Sequence, residues 1–169
     1  MIREIKKVGQ IELSDTVVVS DPTYELGIWC QGIIKNILPG VYNCYIEISD
    51  ENDWGLRCSR IFVINEDYEF EESDYRFDTR EEFKIGVDSG QAGIFDFEYY
   101  ENNHCPKCSE EDECDWEDEI FEITTSQNKG GVIDKKGFIA RSGFGDGAYD
   151  CCTSIRDGKI IGIEIIFIE

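Results

Sequence analysis

Val41-Tyr42-Asn43-Cys44-Tyr45-Ile46-Glu47-Ile48 puts Tyr42, Cys44, Ile46 and Ile48 on one side of an extended chain and Asn43, Tyr45 and Glu47 on the other. Successive side chains of a strand point to opposite faces, so this period predicts an antiparallel strand with one face in a core. Thr16–Ser20, Arg60–Ile64, Phe83–Val87, Gly93–Phe97, Ile120–Thr124, Val132–Ile133, Gly137–Ala140 and Ile160–Ile168 are also rich in β-branched or aromatic residues, bounded by Gly, Pro, Asn or Asp. Turns are marked by Leu38-Pro39-Gly40, Asn128-Lys129-Gly130-Gly131, Asp134-Lys135-Lys136-Gly137 and Asp157-Gly158. The last of these predicts that the final two strands pair as a hairpin. Helix signals are weaker. Tyr24–Ile37 has apolar residues at roughly helical spacing despite Gly27 and Gly32, and residues 110–122 have room for one or two turns whose like charges would repel. The expected fold is mainly β, an antiparallel sandwich or strongly curved sheet with at most one or two short helices, in a single domain over residues 1–169.

Composition narrows the class. A 41% hydrophobic and 12% aromatic chain of 169 residues has enough material for one core, which excludes a disordered acidic tail. The longest apolar run, Ile160–Ile168, is too short to span a bilayer, and MIREIKKVGQIEL at the N-terminus lacks the apolar centre of a secretory signal. A cytoplasmic protein is expected. In a reducing compartment its eight cysteines read as thiols or metal ligands rather than a disulfide framework. Cys30, Cys44 and Cys58 are expected to pack in the core, and at most one of the neighbours Cys151 and Cys152 to face inward.

The formal net charge is −21, and its placement is uneven. Residues 66–82 carry net −7 and residues 98–122 net −10, together −17 of the total. Both segments are expected in loops or edge strands. Such a field attracts basic protein surfaces and repels nucleic acid and anionic lipid. Glu69, Glu71, Glu72, Asp74, Glu110, Glu111, Asp112, Glu113, Asp115, Glu117, Asp118 and Glu119 are the candidate partner-binding residues. Aromatics interleaved with these acids suit lysine- and arginine-rich partners through ion pairs and cation–π contacts. A solvated face without a partner is the competing reading.

Three motifs bear on chemistry. His104-Cys105-Pro106-Lys107-Cys108, followed by Cys114, has the knuckle spacing of a zinc site with Cys105, Cys108 and Cys114 as ligands and His104, Asp112 or Asp115 as the fourth; a polar loop with incidental thiols is the alternative. Ser142-Gly143-Phe144-Gly145-Asp146-Gly147-Ala148-Tyr149-Asp150 could gather backbone N–H groups around an anion. It lacks the lysine and following helix of a phosphate loop and reads more simply as a tight turn capped by Asp146. Asp21 and Asp88 each end a strand, where paired carboxylates can share a proton or a metal ion but also commonly open Asx turns. Carboxylates around the single histidine raise a thiol pKa, which argues against cysteine catalysis.

Val19-Ser20-Asp21-Pro22-Thr23-Tyr24, Gly86-Val87-Asp88-Ser89-Gly90-Gln91-Ala92-Gly93-Ile94-Phe95-Asp96 and Ser142-Gly143-Phe144-Gly145-Asp146-Gly147-Ala148-Tyr149 together resemble a bacterial and phage family, the domain of unknown function numbered 4241. The resemblance spans nearly the whole chain and implies one domain in which Asp21, Asp88 and Asp146 converge. It implies no activity, and the Cys105–Cys114 loop lies outside its pattern. The expected function is a non-enzymatic, acidic protein-binding module, an inhibitor or nucleic-acid mimic of the phage anti-defence or immunity type. Its partner would be a basic groove on a nucleic-acid-binding protein, with no direct contact to nucleic acid or membrane. The alternatives are a small-ligand binder or metal-dependent hydrolase built on Asp21, Asp88 and Asp146, and a zinc-stabilised structural protein.

Overall fold

The alternating Val41–Ile48 segment lies within a strand flanked on both sides by partners, and its apolar side chains face a second sheet. The computed structural model describes residues 2–69, 83–103 and 115–169, the side chain of Asp115 excepted. The strands are β1 (Arg3–Leu13), β2 (Thr16–Ser20), β3 (Gly32–Lys35), β4 (Gly40–Asp50), β5 (Leu56–Asn65), β6 (Phe83–Val87), β7 (Gln91–Asp96), β8 (Gly130–Ile133), β9 (Gly137–Arg141), β10 (Gly147–Arg156) and β11 (Lys159–Ile166). Two short helices, α1 (Phe97–Asn103) and α2 (Asp115–Thr124), lie between β7 and β8. One sheet has the order β1-β4-β5-β11-β10-β6, the other β3-β2-β7-β9-β8, and every strand pairing is antiparallel.

Register explains the core. Ile46, Ile61, Ile165 and Cys151 stand side by side across β4, β5, β11 and β10, and all are buried. Opposite them Val17, Val19, Ile34, Ile94 and Phe138 close the same cluster from the second sheet. Each such side chain contributes roughly 1.5–3 kcal/mol when fully buried. Cys44, Cys58 and Cys151 belong to this core, and burial pushes the Cys58 thiol up to about 12. Cys30 is buried as well, and Cys152 alternates to the opposite, half-exposed face. The open sides of the sandwich are stitched by backbone hydrogen bonds. Glu12 N donates to Lys135 O at 2.8 Å, and Gly86 N to Cys30 O at 3.0 Å. At the second seam a Cβ on Gly32 would stand 2.0 Å from the Phe83 ring, so only glycine lets the edges meet.

The second sheet is buried on both faces. Val18, Phe95, Ile133 and Ile139 point away from the sandwich core, where Tyr100 of α1 and Trp116 and Ile120 of α2 cover them. This third layer overturns two expectations. Ile120–Thr124 is the last part of α2 rather than a strand, and Phe97 opens α1 rather than ending a strand. Trp116, Ile120 and Ile123 recur at helical spacing against a prepared apolar face, and that burial outweighs β-branched propensity and like-charge repulsion. Residues 98–103 and 115–122 of the acidic segment are therefore helical, not loop or edge strand, the latter within the stretch where one or two helical turns had room. Tyr24–Ile37 is not a helix either. Its first part is an irregular loop that Gln31 gathers by accepting from Gly27 N and Ile28 N and donating to Glu25 O; its last part is β3. β1 went unpredicted because much of its length is polar; it enters the core through Ile11 and Leu13. The Asp157-Gly158 hairpin joins β10 to β11 as expected.

The outer face of the six-stranded sheet holds a buried ionic network. Arg60 bridges Glu47 at 2.8 Å and Glu164 at 3.2 Å, and Arg3 reaches Glu47 at 3.0 Å. The Arg60 guanidinium also lies over the Phe62 ring, which stacks on Tyr45. Arg60→Ala strands the buried Glu164 carboxylate and leaves Glu47 to Arg3 and Ser59, and is expected to cost about 3–5 kcal/mol in urea unfolding. Burial holds the Glu164 carboxyl above its ordinary value, against the pull of Arg60. A carboxyl with a raised folded pKa binds more protons folded than unfolded, so its contribution to stability declines as pH rises from the unfolded towards the folded pKa. Urea midpoints measured between about pH 4 and about pH 7 should therefore fall less steeply in Glu164→Gln than in the unaltered chain.

Candidate functional site

Three of the sequence motifs meet at one end of the sandwich. β2 ends at Ser20, and the chain turns through Asp21-Pro22-Thr23-Tyr24. The Asp88–Gly90 turn carries it from β6 in one sheet to β7 in the other, and Ser142–Asp146 connects β9 to β10. Asp21 is fully buried. Its Oδ1 accepts from Thr23 N (2.9 Å), Thr23 Oγ1 (2.7 Å) and Ser89 Oγ (2.8 Å), and its Oδ2 from Asp88 N (2.9 Å) and Ser89 N (2.8 Å). Five donors use up the acceptor capacity of the carboxylate. Asp21 is a bracket between a loop and a turn, and no lone pair is left to take a proton from a substrate or to ligate an ion.

Asp88 and Asp146 lie beside this bracket but face solvent. Tyr24 Oη donates to Asp88 Oδ2. Burial, then this hydrogen bond, raises the Tyr24 phenol above its ordinary pKa, so it stays a donor. A Cβ on Gly90 would stand 4.0 Å from Asp146 Oδ1, which places Asp146 against the same turn. Ser142 N donates to Gly90 O at 3.0 Å and ties the two turns together. The glycine turn is held by Ser142 Oγ on Gly145 O at 2.7 Å and by Tyr149 Oη on Ser142 O and Gly145 O, not by an Asp146 cap. The three aspartates thus share one end; Asp21 is spent, Asp88 is exposed with Oδ2 accepting from Tyr24, and Asp146 is exposed. Among the described residues no group of three or more His, Cys, Asp and Glu side chains is placed to hold a metal ion. His104, Cys105, Cys108 and Cys114 lie outside the described residues.

The helical layer is anchored to the same loop. Tyr100 Oη donates to Tyr24 O and Asp21 O, and Trp116 Nε1 to Pro22 O at 2.8 Å. Gln91 Nε2 donates to Thr124 Oγ1 at 2.9 Å. With α2 held in this way, Glu117, Asp118, Glu119, Phe121 and Glu122 are exposed, and α1 exposes Glu98 and Glu101. A shallow depression between α2 and the bracket is lined by Thr23, Gln91, Trp116, Glu117, Asp118, Ile120 and Phe121. Glu69 is exposed but follows β5 at the end opposite the 50–55 turn. Asp115 begins α2; Glu71, Glu72, Asp74, Glu110, Glu111, Asp112 and Glu113 lie outside the described residues. Thr23, Tyr24 and Ser89 have no role assigned to them by the sequence. Their only signal was the -D-P-T-Y- and -D-S-G- context, which does not say that one turn bonds the other.

No protein-family model matches the chain, and no curated protein or solved structure matches it significantly. Asp21→Ala should lower stability by about 3 kcal/mol or more, because it leaves several donors without their charged acceptor. Amide exchange should rise at Asp88 and Ser89 while Ile46, deep in the other sheet, keeps its protection; unchanged exchange at the turn would remove the bracket role.

Proposed function

We propose that this protein is a non-enzymatic binding module that presents an acidic face to a basic groove on a partner protein, in the manner of a nucleic-acid mimic. The observation that supports this reading is the helical layer. α1 and α2 contain no lysine or arginine, and Glu98, Glu101, Glu117, Asp118, Glu119 and Glu122 all point to solvent. On α2, Asp118 and Glu122 stand one turn apart, and Glu122 sits in the last turn, where the helix dipole disfavours an anion. Each such placement costs a few tenths of a kcal/mol, roughly 0.2–0.5 for an i,i+4 like-charge pair. Folding gains nothing from them, whereas a row of carboxylates on a fixed scaffold speeds association with a basic surface and suppresses anionic ligands. A cytoplasmic partner that handles nucleic acid, as in defence or immunity systems, is the class this chemistry suits.

The spent Asp21 carboxylate weighs against a hydrolase at the aspartate cluster. The test replaces Glu117, Asp118, Glu119 and Glu122 together by lysine, all four being exposed, and confirms the fold by circular dichroism. The unaltered chain should retain a basic protein from a host lysate at low salt and release it as salt rises, with the variant retaining none. Equal retention by both would remove electrostatic mimicry as the mechanism.

A further inference from the structure

Two aromatic side chains stand in solvent at the end of the sandwich that carries the Asp21 bracket. Trp54, on the 3-10 turn between β4 and β5, is 68% exposed, and Phe144, in the glycine turn between β9 and β10, is 56% exposed. The turns are remote in sequence, yet the rings meet edge to face with centroids 6.1 Å apart. Arg57 fixes the pair. Its guanidinium lies 5.7 Å from the Phe144 centroid, and its Nε donates to Trp54 O at 3.0 Å. A single exposed aromatic needs no explanation. Two in contact, drawn from separate turns and braced by an arginine, have the composition of a binding hot spot and pay little ordering entropy on association.

The charges around the pair define what it receives. Asp50 and Asp53 share the turn with Trp54, Asp146 shares the turn with Phe144, and Asp88 lies on the adjoining turn; all four are exposed. Arg57 is the one cation braced within the pair, and its guanidinium is engaged on Phe144. An aromatic pair rimmed by carboxylates attracts a cationic side chain through cation–π and ion-pair terms and repels phosphate. The surface is also continuous with the acidic helix: Thr23 and Gln91 border α2, and Asp88 and Gly90 lead on to Asp146. The geometry points to this end face as the anchor of the interface, taking a lysine or arginine side chain of a basic protein against Trp54 and Phe144, with Asp53, Asp88 and Asp146 as its rim. This assignment rests on the acidic-module reading and locates the energetic centre beside α2, not on it.

The three tryptophans make the test direct. In a ¹⁵N-labelled sample each gives one indole N–H signal, with Trp29, 94% exposed and in neither turn, as the internal reference. Titration with hexa-arginine at low salt should move the Trp54 signal to saturation and leave Trp29 nearly still. Trp54→Ala and Phe144→Ala, both at exposed positions, should each weaken the peptide at least about fivefold. If both variants bind as the unaltered chain does and the Trp54 signal stays put, while the four-lysine α2 variant loses the peptide, the anchor is wrong and the acidic module stands. Failure of the unaltered chain to bind hexa-arginine overturns both. A Trp54 signal that moves with cellohexaose and not with hexa-arginine would make the face a sugar platform and overturn the assignment.

Discussion

The constraint on which the rest of this molecule depends is the burial of the Asp21 carboxylate among five donors. Asp21 leaves β2 in one sheet, while the amides of Asp88 and Ser89 belong to the turn by which the chain passes from the other sheet into β7. A buried carboxylate is tolerated only when its charge is answered, and here peptide N–H groups and hydroxyls answer it at 2.7–2.9 Å. The corner where the two sheets join is thereby set. Tyr100 and Trp116 then hang the helices on carbonyls of the same loop. The acidic face and the aromatic end face inherit their positions from this one arrangement.

Charge in this protein has been sorted by consequence. Where carboxylates are buried they are paired: Glu47 and Glu164 with Arg60 and Arg3, Asp96 with Ser14 N and Oγ. Among the described residues, exposed carboxylates gather along α1, α2 and the turns at one end, at Glu98, Glu101, Glu117, Asp118, Glu119, Glu122, Asp53, Asp88 and Asp146. A strongly negative chain pays for such contiguity in self-repulsion. The buried network on the far face of the six-stranded sheet adds no net attraction for a partner, so the two kinds of charge divide between holding the sheet and presenting a field.

Much of the architecture was legible. Clean alternation in Val41–Ile48, the triple valine of Thr16–Ser20 and the Asp157-Gly158 turn each correspond to an observed strand or hairpin. The scattered cysteines lie in the core, and Cys151 and Cys152 face opposite ways. The misreadings have a common cause. Val18 is buried on the side of its sheet away from the sandwich core, under Trp116 and Ile120, and no local pattern announces a third layer. Ile120–Thr124 satisfies strand propensity and helical spacing equally until that apolar face is there to choose. Tyr24–Ile37 satisfies helical spacing too, but the Gln31 side chain and the close approach of Gly32 to Phe83 give its backbone better partners.

The sequence by itself determined the class of fold, the identity of the inward residues and the sign of the field, because periodicity, propensity and composition are local or additive properties. Which turns share an end was decided only in three dimensions. Asp21 became a bracket instead of a base because two distant amides arrived at its second oxygen. Trp54 and Phe144 became a pair because antiparallel pairing brought the β4–β5 and β9–β10 turns to the same end. Hydrogen bonds and ring contacts act over a few ångströms, so their partners are set by the path of the whole chain, which no short stretch of residues encodes.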